Sequence, residues 1–133
     1  MPIQRVRSDA VTEPSPELWS NCMVVNNIAY ISGLTARGTD LNVIEGNDEY
    51  VQTKAIFQKF KHLVEAAGGT MSDFVKLTIF VTRIDEREKV WKGRAEFFSG
   101  DFPACSLVEV SALATPEILV EIEGVAYLGQ GPR

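Results

Sequence analysis

The sequence predicts an α+β fold in which two helices pack on one face of a single mixed β-sheet. Three observations lead to this prediction. Segments rich in β-branched residues, several with alternating polarity, predict strands at residues 3–7, 23–25, 28–33, 74–82, 102–110 and 118–126. Apolar residues spaced three and four apart predict helices at residues 49–67 and 85–98. The length of 133 residues suits one domain, which we place at residues 1–133.

The composition argues against several classes of function. A net charge of −5 and a pI near 4.9 disfavour a nucleic-acid partner, because phosphate binding depends on clustered Lys and Arg. No run of about 18 residues is apolar and no apolar run follows Met1. We therefore expect no membrane span, no signal peptide and a cytoplasmic location. Cys22, Cys105 and the single His62 lack metal-ligand spacing, so we expect free thiols, no metal and no cofactor.

The N-terminal third predicts a strand, a hairpin and a loop. Alternating polarity predicts the strand at 3–7, and Pro14 and Pro16 interrupt regular structure after it. Asn26 and Asn27 separate the next two strands, and asparagine tolerates the positive φ of a tight hairpin turn. Residues 34–48 are rich in Gly, Asn, Asp and Thr, which predicts an exposed loop.

The middle of the chain predicts a helix, a strand and a second helix. The stripe of the first helix consists of Ile56, Phe57, Phe60, Leu63, Val64 and Ala67. Gly68 and Gly69 end that helix. In the following strand, alternation places one set on a common face: Val75, Leu77, Ile79 and Val81. Asp85 and Glu88 have the spacing of a capping box for the second helix, which we extend through Phe98.

The last two strands predict one core face and one face that carries acids. In the final strand, the even-numbered residues from Ile118 to Ala126 are apolar or small, whereas the odd-numbered ones include Glu121, Glu123 and Tyr127. We expect Cys105, Leu107 and Glu109 of the preceding strand to share the face of these acids. Such a face is too apolar to remain exposed to solvent and too polar to be buried in the core of a monomer. This favours oligomerisation through it.

These last strands also resemble the YjgF/Rid family of enamine/imine deaminases, in Phe-Pro-Ala-x-Ser at residues 102–106 and in Val-Glu-Ile-Glu at residues 120–123. Further matching segments lie at 31–33, 52, 64–68, 75–78, 97–98, 109–110 and 113, so the resemblance covers nearly the whole chain. The resemblance implies a chorismate mutase-like fold and a homotrimer whose sheets form a central β-barrel. It also implies one small-molecule cleft at each subunit boundary.

The chemistry implied by the resemblance is hydrolysis of an enamine through its imine, with release of ammonia. Glu121 matches the family glutamate that positions water or transfers protons. Cys105 stands where active relatives carry an arginine that binds the substrate carboxylate. A thiol cannot replace that bidentate group, so we expect little activity on 2-aminoacrylate.

Cys105 has three open interpretations: a packed or interface cysteine, a neutral cleft residue that changes ligand preference, or a nucleophilic thiol. Other departures from the family are Trp19 in place of tyrosine, Leu34 in place of glutamine, and Trp91 in place of asparagine. The two tryptophans either pack ordinarily or favour a larger, aminomuconate-like enamine. Candidate ligand-binding residues are therefore Cys105, Trp19, Ser32, Gly33, Leu34, Trp91 and Arg94, the last as a substitute anion-binding group.

Two functions remain open. The first is a Rid-like deaminase with an altered substrate, in which Glu121 positions water. The alternative is a non-catalytic trimer of the same fold that binds a small molecule, which loss of the arginine favours.

Overall fold

The computed structural model describes residues 2–40 and 43–132. Within them, strands and helices follow one another in the predicted order. The strands are β1 (Gln4–Arg5), β2 (Cys22–Val25), β3 (Ile28–Leu34), β4 (Phe74–Val81), β5 (Ala104–Glu109) and β6 (Val120–Tyr127). The helices are α1 (Glu49–Ala66) and α2 (Arg87–Ala95), with 3-10 turns at Met71–Asp73 and Ile84–Glu86. β1 is shorter than predicted; beyond Arg5, the Val6 N–H still donates to the Cys22 carbonyl at 3.0 Å.

These strands form one sheet in the order β1-β2-β3-β6-β4-β5. β4 and β5 run parallel, with α2 in the connection between them, and the other neighbouring pairs are antiparallel. The predicted α+β class with a single mixed sheet is therefore confirmed. β6 lies between β3 and β4, so side chains from both neighbours flank the acids that it carries.

The core lies between the sheet and α1. The apolar stripe predicted for this helix is fully buried from Ile56 to Val64, as are Leu77, Ile79 and Ile122 of the sheet. Each such side chain stabilises the fold by about 1.5–3 kcal/mol. Gly93 of α2 lies at the contact with α1, where a Cβ would come within 3.0 Å of Thr53. The absence of a side chain there lets the two helices approach closely.

The predicted turn and helix end in the first half of the chain are confirmed, and the structure adds a helix cap at Asp48. Asn26 and Asn27 have φ values of 52° and 62°, as the tight turn between β2 and β3 requires. The Asp48 side chain accepts a hydrogen bond from the Val51 N–H at 2.8 Å and begins α1. Gly68, with φ of 95°, follows the end of that helix.

The capping box predicted for the second helix is wrong. Asp85 lies inside the 3-10 turn Ile84–Glu86, and α2 begins at Arg87 without a side-chain cap. Glu109, at the end of β5, instead accepts a hydrogen bond from the Ile84 N–H at 3.0 Å. The helix also ends at Ala95, before the predicted Phe98. A carboxylate from a distant strand thus supplies what the local spacing suggested Asp85 would supply.

The predicted face of β4 is correct except at its start. The pairing of β4 with β6 shifts register between Phe74 and Lys76. As a result Phe74 is 5% exposed in the core, whereas Val75, which alternation placed there, is 45% exposed. A β-bulge of this kind inserts one residue and reverses the face of those before it.

The loop predicted at residues 34–48 is only partly exposed. Leu34 belongs to β3, Ala36 is fully buried, and residues 41–42 lie outside the described part of the chain. Lys59 of α1 donates hydrogen bonds of 2.6 Å to the carbonyls of Thr35 and Arg37. Burial lowers the pKa of Lys59 to about 8. This lysine ties the start of the loop to the helix.

Candidate functional site

The candidate site begins where β3 approaches β6. The register between these strands shifts between Ile31 and Leu34, which leaves Ser32 and Gly33 in an irregular stretch. The Ser32 N–H donates to the Asn21 carbonyl at 3.0 Å, and its hydroxyl donates to the Ser20 carbonyl. Both groups of Ser32 are thus already engaged within the chain.

Gly33 makes room for the Glu121 carboxyl group. A Cβ at position 33 would lie 2.4 Å from Oε2 of Glu121 and 3.0 Å from its Cδ. No real side chain tolerates such contacts, so any other residue at this position displaces the acid. The structure therefore brings together three of the predicted site residues: Ser32, Gly33 and Glu121.

The environment of Glu121 raises the pKa of its carboxyl group above the ordinary value of 4.5. Burial is the main cause, because the charged form loses hydration in this half-buried position. The carboxylate of Glu123 is the second cause, since like charges oppose each other's ionisation. A carboxyl group that keeps its proton to higher pH is suited to general acid–base catalysis.

A groove lies beside these residues on the face of the sheet that α1 does not cover, which we call the open face. It has a volume of about 290 Å³ and is lined by Met23, Tyr30, Ile31, Ser32, Lys76, Thr78, Glu123, Gly124 and Val125. Lys76 Nζ also donates to Ser106 Oγ at 3.2 Å. The sequence analysis missed Lys76 and Thr78 as lining residues, although their alternation with Leu77 and Ile79 places them on this face.

Cys105 does not share a face with Glu121, and the predicted cluster of thiol and acids is wrong. Cys105 pairs with Leu77, which pairs with Gly124 of β6; these residues point towards the helices. Glu121 pairs with Phe80, which pairs with Val108, on the open face. Leu107 packs with Cys105 against the core, and Glu109 caps the turn before α2. Only the pairing register settles this choice, because both faces of β5 have mixed polarity.

Trp91 and Arg94 lie on α2, on the same side of the sheet as Cys105. Trp91 is 43% exposed, and the Arg87 guanidinium lies 5.8 Å from its ring centre. Arg94 is half-buried, with its guanidinium 5.6 Å from the ring centre of Phe102. Phe102 in turn packs on Phe98, with the ring centres 5.8 Å apart. This side of the sheet therefore carries a thiol on β5 and a tryptophan and an arginine on α2.

Within the described residues, no hydrogen bond or ring contact joins the side chain of Trp19 or Leu34 to either group. Trp19 is 51% exposed in the connection between β1 and β2, and its Nε1 donates to Asn21 Oδ1 at 3.2 Å. Leu34 is 6% exposed and packs in the hydrophobic core. Sequence analysis proposed Leu34 as a lining residue by its position after Gly33, but its side chain points inward.

A second, larger groove lies near the N-terminal end of α1. Its volume is about 760 Å³, and its lining includes Arg37, Asn47, Arg83 and Glu117. Arg83 is fixed by Glu49, whose carboxylate is fully buried and accepts two hydrogen bonds of 2.8 Å from the guanidinium. This pair escaped the sequence analysis because a glutamate at a helix start is typically solvated.

Within the described residues, no group of three or more His, Cys, Asp or Glu side chains is arranged to hold a metal ion. None of the helices in residues 2–40 and 43–132 is long and apolar enough to span a membrane.

Comparison with known proteins gives this geometry a family context. The family model for Endoribonuclease L-PSP matches residues 12–128. A protein of unknown function from Pseudomonas aeruginosa is 37% identical, with 98% of this chain and 95% of that chain covered and a TM-score of 0.89. A Rid-family protein of unknown function from Yersinia pestis is 32% identical, with coverages of 96% and 100% and a TM-score of 0.86. A YjgF/YER057c/UK114 family member from Mycobacterium tuberculosis is 29% identical, with coverages of 96% and 100% and a TM-score of 0.81.

Proposed function

Because the chain belongs to the endoribonuclease L-PSP family, in which Rid and YjgF proteins are its structural neighbours, we propose that it is a Rid-type enamine/imine deaminase. The observation that carries the proposal is the placement of Glu121. Its carboxyl group fills the space left by Gly33, beside a groove, and has a raised pKa. This combination supports a proton-transfer role over a purely structural one.

In the proposed reaction, an enamine first becomes its imine by moving a proton to carbon. Water then adds to the imine carbon, and Glu121 accepts the proton that the water loses. The same carboxyl group returns a proton to the nitrogen. The C–N bond breaks as the oxygen lone pair forms the carbonyl, so the products are a ketone or aldehyde and ammonia. A raised pKa favours both halves of this transfer near neutral pH.

We also propose that the active form is a homotrimer with a central barrel, in which the open faces pack together. Tyr30, Val108 and Tyr127 are 43–47% exposed on this face, next to the half-buried Glu121. The site would then combine Ser32, Gly33 and Glu121 of one subunit with Cys105, Trp91 and Arg94 of its neighbour. Light scattering should return about three times 14.7 kDa, whereas a well-folded monomer would contradict the trimer.

The proposed substrate is larger than a three-carbon enamine. Cys105 offers only one weak donor, so 2-aminoacrylate should bind poorly. Trp91 and Trp19, both partly exposed, supply flat apolar surface that suits an aminomuconate-like enamine. Leu34 contributes to this site only as a backbone position, since its side chain lies in the core.

Ammonia release from enamines generated in solution tests the proposal. Glu121→Gln should reduce the rate by about 10²–10⁴-fold, as expected for loss of a general acid–base group. Glu123→Gln is the comparison variant, because it removes a neighbouring carboxylate of the same strand and face, and it should lower the rate far less than Glu121→Gln does. Equal rates in the wild-type protein and Glu121→Gln would refute the catalytic role of Glu121.

The alternative is a non-catalytic trimer that binds a small molecule. Cys105 favours it, because this residue stands where the family resemblance places the carboxylate-binding arginine. Saturable binding of an enamine analogue without ammonia release from any enamine tested would support this alternative over the deaminase.

A further inference from the structure

The larger groove, near the N-terminal end of α1, has walls that a buried side chain of this helix holds in place. Gln52 is fully buried, and its Nε2 donates to the carbonyls of Gly46 at 3.0 Å and of Glu117 at 2.8 Å. Its Oε1 accepts a hydrogen bond from the Leu119 N–H at 2.9 Å. Gly46, Glu117 and Leu119 line the groove and belong to two separate connections of the chain. The groove is therefore formed before any ligand arrives, which reduces the free-energy cost of binding.

The groove carries charges of both signs that do not pair with each other. Arg83 binds Glu49 through Nε and Nη2, which leaves its Nη1 without a hydrogen bond in the part of the chain that the structure describes. The Arg83 side chain is 49% exposed, so a ligand in the groove can reach it. Glu117 is exposed, and within the described residues no ion pair joins its carboxylate to a cation.

This mixture of charges disfavours a ligand with a single charge. An anion would be repelled by Glu117, and a cation would be repelled by Arg83 and by Arg37, which also lines the groove. A zwitterion can place each of its charges beside the opposite one. The groove therefore suits a dipolar ligand better than a simple acid or a simple amine.

Apolar side chains form another part of the lining. Ile44, Pro116 and Leu119 border the groove, and its volume of about 760 Å³ lies in the range typical of small-molecule sites. Such a lining suits a ligand that carries an apolar group next to its charged groups.

We propose that this groove binds an amino acid with an apolar side chain, with its carboxylate on Arg83, its ammonium group on Glu117 and its side chain against Leu119. The inference goes beyond the proposed function, because Glu121 and Gly33 take no part in this site. An enamine has an uncharged nitrogen and gains nothing from Glu117. The amino acid is therefore a second ligand of the protein and not the substrate of the proposed deaminase.

The test is binding of L-leucine to the assembled wild-type protein, measured by isothermal titration calorimetry. Two analogues each lack one charge: 4-methylpentanoate has no ammonium group, and leucine methyl ester has no carboxylate. Leucine should bind saturably and about tenfold or more tightly than either analogue, because each lost charge removes charge-assisted hydrogen bonds. Analogues that bind as tightly as leucine would overturn the proposal.

Glu117→Gln tests the ammonium contact. This variant should bind leucine about tenfold more weakly, while its affinity for 4-methylpentanoate should not fall, since that analogue has no ammonium group. Glu88→Gln is the matched control, because Glu88 is an exposed glutamate of α2 that does not line the groove. It should bind leucine like the wild type. Equal affinities of Glu117→Gln and Glu88→Gln for leucine would contradict the assigned role of Glu117.

The carboxylate contact needs a double variant. Arg83→Gln alone leaves the fully buried Glu49 carboxylate without its cation, which destabilises the fold. Replacing both residues by glutamine removes the two charges together and keeps groups that can hydrogen-bond to each other. The double variant should bind leucine about tenfold more weakly and leucine methyl ester as the wild type does. Unchanged leucine affinity in this variant would refute the contact with Arg83.

Glu121→Gln distinguishes this groove from the proposed active site. It should bind leucine with wild-type affinity, because Glu121 lies on the open face and does not line the groove. Loss of leucine binding in Glu121→Gln would place the amino acid at the other site and overturn the inference, as would the absence of saturable binding to the wild type. Leucine binding without ammonia release from any enamine refutes only the deaminase.

Discussion

The open face and the helix-covered face of the sheet leave opposite charges unmatched. On the open face, Glu121 has no ion-pair partner within the described part of the chain, and burial and Glu123 raise the pKa of its carboxyl group. On the other side, the Arg94 guanidinium lies 5.6 Å from the ring centre of Phe102, and its Nε has no hydrogen-bond acceptor among the described residues. A single subunit keeps the two apart, because the sheet lies between them. The difference teaches that Glu121 and Arg94 cannot meet within one subunit, whereas the trimer proposed above would bring them together.

Displacing Glu121 on the open face should have the largest effect on activity. Gly33→Ala places a Cβ 2.4 Å from Glu121 Oε2 and so forces the carboxyl group away. We expect the rate of ammonia release to fall about 10²-fold or more, since a misplaced catalytic group loses most of its contribution. Gly38→Ala is the control, because its Cβ would come only within 3.2 Å of the flexible end of Glu45. A Gly33→Ala enzyme with wild-type rate would show that Glu121 need not occupy this space.

Adding a positive charge at position 105, on the helix-covered side of the sheet, should increase activity on 2-aminoacrylate. Cys105→Arg adds a guanidinium near the edge strand, and its two parallel hydrogen bonds to a carboxylate favour a small acid. We expect the kcat/KM for 2-aminoacrylate to rise about tenfold or more, which corresponds to about 1.4 kcal/mol of transition-state stabilisation. Cys105→Ser, which changes the residue without adding charge, should not gain activity. No gain in Cys105→Arg would mean that the three-carbon substrate is limited by the pocket and not by the missing cation.

The coupling between the two acids of β6 should appear in the pH profile. The Glu123 carboxylate raises the pKa of Glu121, so Glu123→Gln should lower it. If Glu121 acts as the base, the acidic limb of kcat/KM against pH should move to lower pH in this variant. The shift is expected to be small, because burial is the main cause of the raised pKa. An acidic limb that moves to higher pH would contradict the assignment of Glu121 as the base.

The smallest expected effect is on stability. The pKa of Glu121 is raised on folding, so the folded protein binds more protons than the unfolded chain between 4.5 and the folded pKa, and stability falls as pH rises through that window. Above it, the charged carboxylate remains a cost that Glu121→Gln removes. We expect the Tm of this variant to exceed that of the wild type at pH 7, by an amount that solvent screening of the half-buried group keeps small, with no difference at pH 4 or below. A lower Tm at pH 7 would mean that the charge is stabilised in the assembled protein.

Structural elements that depend only on residues adjacent in sequence were predictable. The Asn26-Asn27 turn depends on backbone φ alone, and the stripe of α1 ends at Gly68 for a local reason. Glu121 was found as a site residue by family resemblance together with its place in an apolar strand. The space beneath it was not predictable, because Gly33 and Glu121 meet only across the pairing of β3 and β6.

The failures share one physical cause. The face occupied by Cys105 depends on the register of β5 with β4, and the exposure of Val75 depends on one inserted residue. The turn before α2 is capped by Glu109, which lies on β5 and is distant in sequence, and not by Asp85 as predicted. In each case a partner distant in sequence decided the outcome, and alternation within one strand or helix carries no information about that partner.

The burial of Cys22 has a practical consequence for chemical biology. Cys22 is fully buried, and burial raises the pKa of its thiol to about 11. Cys105, the other cysteine of the sequence, is half-buried near the edge of the sheet. The native protein is therefore expected to behave towards a maleimide dye as a molecule with a single thiol. A fluorophore could therefore be attached at the edge strand β5 without any engineered substitution.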